Sequence, residues 1–168
     1  MLLALTIAAQ TFLRMIIAPP YNQFIIGSFV NFFIIASVII CGFSSAFVIS
    51  TLATVIAFLM QQIAFVQIVP IVALGNIAIA AVYFLSQKLL KNKPHAALAI
   101  AVIPGAAAKF LILWLGVTKI FIPFFLPPSA PPAAAAMMTF NFSWPQLLTA
   151  YIGGIIAVYT YHFLKKIK

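Results

Sequence analysis

The chain has 168 residues, 66% hydrophobic and 5% charged, with nine Lys or Arg, no Asp or Glu, and a mean hydropathy of +1.25. Soluble domains carry roughly 25% charged residues, so this composition excludes one and points to an integral membrane protein. Without a carboxylate the chain cannot hold Mg²⁺ through acids or relay protons through Asp or Glu; no catalytic residue and no metal site is assigned, and the protein reads as a non-enzyme.

At about 20 apolar residues per span there is room for about five to seven helices and none for a soluble domain. The first apolar run, 2–18, contains Arg14 and has no basic residue ahead of its core, which suits a retained helix rather than a cleaved signal peptide. Within it Ala4 and Ala8 make a small-xxx-small face that lets another helix approach closely. A break at 18–23 leads to runs 24–41 and 43–60, separated only by Gly42-Phe43-Ser44-Ser45, a tight turn. Cys41 reads as a small buried hydrophobe. After Gln61-Gln62 come runs 68–87, 96–118 and 144–164, parted by the basic stretch 88–94 and by the long segment 119–143. Gly153 and Ala157 repeat the small-residue spacing in the last run, while His95 and His162 lack Cys or acid partners and are given no role. The expected fold is all-α: an integral membrane six-helix bundle in one transmembrane domain, 1–168.

Charge sets the orientation. Lys88, Lys91 and Lys93 fall in one connection and Lys165, Lys166 and Lys168 at the C-terminus, two helices apart and hence on one face. The positive-inside rule makes that face cytoplasmic, and counting back puts both termini there, in a multi-pass protein of a prokaryotic cell membrane. Nucleic acid is not implied, because the cations are few and dispersed. The connections after runs one, three and five then face outward. Prolines in IPFFLPPSAPPAAAAMMTFNF forbid a continuous helix, although AAAAMM allows one short turn, and so apolar a segment needs cover. It is expected to lie as a lid over the outer end, with a plain membrane-surface segment as the alternative.

Polar groups converge below that lid. Counting at 1.5 Å per residue puts Asn31, Asn76 and Lys109 roughly 10 to 14 Å beneath the outer ends of their helices, in one slab, with Arg14, Gln146 and Thr149 above it. A Lys at mid-membrane costs roughly 2.5 to 3.5 kcal/mol, and such residues face a bundle interior or watery cavity unless they snorkel out. The two asparagines serve either a ligand or interhelical hydrogen bonding. Trp114 and Trp144 fall at the outer boundary, as belt residues or as the aromatic mouth of a pocket. Asn31, Asn76, Lys109, Arg14, Trp114, Trp144 and Gln146, together with Gln61 in an outward connection, are the candidate substrate-binding set. The uncompensated cations Arg14, Lys109 and Lys119 favour an anionic or electron-rich ligand, or a heteroaromatic one stacking on Trp114 or Trp144.

Beyond this layout, VPIVALGN at 69–76, AAAKFLIL at 106–113 and FSWPQLLTAYIGG at 142–154 look like segments of a known family. The chain resembles an uncharacterised branch of the substrate-binding S components of energy-coupling-factor (ECF) vitamin transporters. That resemblance implies a high-affinity binder for a vitamin or related micronutrient, with no cofactor of its own. Energy would come from two ATPase subunits acting through a transmembrane coupling subunit, onto which Ala4 and Ala8 would pack. No ligand signature of the thiamine, riboflavin or biotin binders is present, so substrate identity does not carry over. A stand-alone facilitator or channel, and a structural subunit of a membrane complex, are the alternatives.

Overall fold

Apolar side chains dominate every helix, and many large ones lie on the outside of the bundle. Phe12, Met15, Ile40, Leu59, Leu89, Ile103, Tyr159 and Phe163 are all exposed. Water as the only solvent does not tolerate so extensive an apolar surface. The computed structural model describes residues 1–18 and 21–167, without the side chain of Ile167. Pro19, Pro20 and Lys168, which entered the sequence reading of the first break and of the basic terminus, lie outside the described residues.

The fold is all-α, with no strand among the described residues. In chain order the elements are α1 (Leu2–Ile16), α2 (Asn22–Cys41), α3 (Phe43–Leu59), α4 (Ile68–Leu89) and α5 (Pro94–Leu113). A π-helical run (Trp114–Phe121) continues α5 into the turn α6 (Ile122–Phe125), followed by α7 (Pro132–Asn141) and α8 (Trp144–Ile167). Gly42 alone separates α2 from α3; its φ of 88° is a backbone state that side chains resist, so the reversal takes place at the one residue without a Cβ.

Four helical stretches are long and apolar enough to cross a membrane: Asn22–Cys41, Ile68–Leu89, Pro94–Phe125 and Pro132–Lys166. Such helices are compatible with a transmembrane protein. By contrast α1 and α3, with 15 and 17 residues, are apolar but shorter. At 1.5 Å per residue they reach about 22 and 26 Å, against a hydrocarbon core of about 30 Å.

One end of the bundle is basic. His95 at the start of α5 meets Tyr161 and His162 near the end of α8, with ring centroids 5.2 and 5.1 Å apart, so the α4–α5 connection shares that end with Lys165 and Lys166. Met1, Leu2 and Leu3 lie there too, against Ile40 and Cys41. Cys41 is exposed, not buried as its apolar run implied, because it closes α2 where the chain turns. At the opposite, loop end Arg14 reaches the carbonyl of Met60, Phe65 meets Phe121 at 5.3 Å, and Phe24 meets Trp144 at 5.7 Å.

Segment 119–143 is more helical than its prolines implied. Pro132 occupies the first turn of α7, where a missing N–H costs nothing, so it starts a ten-residue helix instead of preventing one. The preceding helix runs on to Phe125, past Pro104 inside α5 and Pro123 at the start of α6. From this segment Phe121 and Met138 are buried with Ala57, Ile63, Ile68 and Val117, forming an apolar cluster at the loop end.

Candidate functional site: a buried lysine between two asparagines

Three helices deliver the central groups. Asn31 sits on α2, Asn76 on α4 and Lys109 on α5, exposed to 0%, 3% and 4%. Lys109 Nζ donates to Asn31 Oδ1 at 2.6 Å and to Asn76 Oδ1 at 2.7 Å. These are short, charge-assisted bonds, and they are what an ammonium buried without an acid requires. Depth counting along the sequence had put the three residues in one slab, and here they are in direct contact.

Each asparagine is held in turn by a threonine. Asn76 Nδ2 donates to Thr54 Oγ1 of α3 at 3.1 Å, and Asn31 Nδ2 to Thr149 Oγ1 of α8 at 3.5 Å. Thr54 donates to the Ser50 carbonyl and Thr149 to that of Gln146. Gln146 Nε2 then donates to the Asn141 carbonyl at 2.9 Å, which ties the network to the last residue of α7. Five helices, α2, α3, α4, α5 and α8, and the end of α7 are thus joined through one chain of hydrogen bonds.

Local packing explains how the asparagines reach the lysine. A Cβ on Gly153 would lie 2.7 Å from Asn31 Cβ and 2.7 Å from the Ser28 carbonyl oxygen, so only glycine lets α8 lie this close to α2. The small-residue face of α8 is therefore used inside the bundle, where Ala157 is also buried. On α1 the corresponding face is open: Ala4 is exposed, Ala8 half-buried, and Leu5, Phe12 and Met15 are exposed beside them.

Apolar layers close the network on both sides. Thr54 lies between Ile49 and Ala57, Asn76 between Ile79 and Ile68, and Lys109 between Ala106 and Val117, the second of each pair belonging to the loop-end cluster. A cavity of about 290 Å³ is lined by Met1, Leu2, Leu3, Ile40, Cys41, Ser45, Val48 and Ile49 at the basic end, away from the network.

The other candidate residues are placed differently. Arg14 is on the exposed rim, pinning α1 to the end of α3. Gln61 is exposed with a φ of 57° and terminates α3 through its backbone. Trp144 is 52% exposed and packs on Phe24 and Phe140. Trp114 is half-buried against Phe110, with Lys119 Nζ 5.0 Å from its ring centroid, so part of its face is already taken by a cation. The network's hydrogen bonds include none of these four, while Gln146 joins it through Asn141 and Thr149.

Two threonines complete what the sequence indicated less clearly. Thr149 had been placed above the slab and belongs to it; Thr54 had not been singled out. A threonine in an apolar helix bonds its own i−4 carbonyl, as Thr54 does at 2.7 Å, and so carries no sequence signal of a distant partner. The recognisable signal was Asn76 on the neighbouring helix, a side chain with more donors and acceptors than its own helix can satisfy.

Fold and site together define an all-α protein of long apolar helices built around a buried cationic hydrogen-bond network. No family model, curated protein or solved structure matches this chain.

Proposed function

We propose that this chain is the membrane-embedded, high-affinity substrate-binding subunit of an ATP-driven importer of the energy-coupling-factor type, taking up a vitamin or related micronutrient. One observation carries the reading: Lys109, Asn31 and Asn76 from three helices meet in a buried cluster in a chain that has no carboxylate. An uncompensated intramembrane cation is a functional-site hypothesis by default. Movement of the loop-end cluster of Val117, Phe121 and Met138, which closes the network on that side, would bring a small molecule onto it.

The remaining parts fit the same role. In the membrane the basic end would face the cytoplasm, and the helices would span with the loop end outward. The open α1 face at Ala4 and Ala8 supports docking on a transmembrane coupling subunit, with two ATPases behind it supplying the energy. Co-expression with an energy-coupling module tests this: a stable complex and ATP-dependent uptake are expected, and A4L/A8F should abolish association without changing ligand retention. Failure of the wild-type chain to associate in nanodiscs would overturn the importer reading.

A structural subunit of a membrane complex is the second reading, favoured by the closure of the network, whose members are bonded to one another and buried. Saturable binding by the isolated chain separates the two. The apolar layers on both sides of Lys109 argue against a stand-alone channel.

A further inference from the structure

The hydrogen bonds around Lys109 share a polarity. Thr54 and Thr149 give their hydroxyl hydrogens to the carbonyls of Ser50 and Gln146, so each meets its asparagine as an acceptor. Each asparagine oxygen is held by Lys109, and each amide nitrogen has given one N–H to a threonine. An ammonium has three donors and a primary amide two. With Lys109 as an ammonium, the donors of this network left over are one N–H on Lys109, one on Asn31 and one on Asn76.

Left-over lone pairs on buried oxygens are tolerated more readily than left-over N–H groups, so the deficit of this cluster is in acceptors. A ligand amine or guanidinium would set donors against donors. Charge narrows the choice further. With Lys109 protonated, the cluster carries one positive charge among otherwise neutral groups, in a chain without Asp or Glu. A monoanion neutralises it, whereas a phosphate monoester would leave an excess negative charge in a low-dielectric interior. The apolar layer toward the loop end, with Val117, Phe121 and Met138, suits an apolar body attached to such a head.

We infer that the site takes a carboxylate monoanion with an apolar body, its oxygens held by the spare N–H groups of Lys109, Asn31 and Asn76. This rests on the proposed binding role of the site and names the substrate class for it.

The full chain in nanodiscs, at fixed pH and ionic strength, tests it with sodium benzoate and sodium acetate as probes and benzamide, acetamide and phenyl phosphate as controls. The readout is the thermal midpoint followed by tryptophan fluorescence. Benzoate should raise Tm saturably by about 2 to 4 °C and acetate by less, while the amides and the phosphate leave it unchanged. An equal response to benzamide, or no response to either carboxylate, overturns the inference. A second arm uses N76D, which supplies the missing carboxylate from within the chain while Thr54 can turn its hydroxyl to donate. N76D should retain the wild-type Tm or exceed it and lose the benzoate response; an undiminished response overturns the inference, and N31D gives the same test through Thr149. The two proposals fail separately. Carboxylate-selective stabilisation without association with a coupling module removes the importer reading and keeps the ligand class, and association with uptake but no carboxylate selectivity does the reverse.

Discussion

Removing an asparagine from the Lys109 network should cost more than removing the lysine. Asn76→Leu deletes the 2.7 Å acceptor of Lys109 and the 3.1 Å donor to Thr54, leaving a buried ammonium with Asn31 as its remaining partner. A hydrogen bond to a charged group contributes about 1.5 to 3 kcal/mol, and breaking a buried charge network reaches about 3 to 5 kcal/mol, so a loss of about 2 to 4 kcal/mol is expected. Lys109→Met strands the oxygens of Asn31 and Asn76, at about 1 to 3 kcal/mol each, but relieves an insertion cost of about 2.5 to 3.5 kcal/mol. Its net effect should centre on a destabilisation of about 1 kcal/mol, below that of Asn76→Leu. The double variant should be more stable than Asn76→Leu alone, with a coupling energy of about 2 kcal/mol. Unfolding in mixed micelles at increasing SDS, followed by tryptophan fluorescence, measures all four corners of the cycle. Additivity within about 0.5 kcal/mol, or Lys109→Met as the most destabilised of the set, would refute the reasoning.

Gly153→Leu should destabilise by about 1 to 3 kcal/mol, because its side chain must displace Asn31 and the Ser28 backbone; a lower Tm together with a weakened ligand response is expected, and an unchanged Tm would mean that α8 does not pack on α2 this closely. Cys41 is the single cysteine of the chain and is exposed at the basic end. With that end cytoplasmic, a membrane-impermeant maleimide should label inverted vesicles and spare intact right-side-out ones, and the opposite pattern would reverse the orientation.

Much of the architecture was legible because helices have a fixed rise. Residue counts from the ends of apolar runs were enough to put Asn31, Asn76 and Lys109 at a common depth, and Gly42 marked the reversal between α2 and α3. Hydrogen-bond register was not legible. Nothing in WLGVTKIF distinguishes a π-helical run from an α-helix, so the extension of the fifth helix to Phe125 could not be foreseen. Pro132 was read as a breaker when its position made it an initiator. Side-chain direction was the other gap: a sequence gives the depth of Trp114, Arg14 and Gln61 and leaves open whether each turns toward the lysine, toward a neighbour such as Lys119, or toward the rim. The two alanines of α1 and the glycines of α8 follow the same small-residue spacing, yet Gly153 packs on α2 while Ala4 is exposed. Only the packed bundle separates an internal contact from a free face.

The most direct test of ligand binding at this network is native mass spectrometry of the purified full chain and of its Lys109→Met variant, both shown to be folded. One small molecule retained per wild-type chain and lost from the variant is the expected result. Retention of the same molecule by both chains, or by neither, would contradict the assignment of Lys109 to a ligand site.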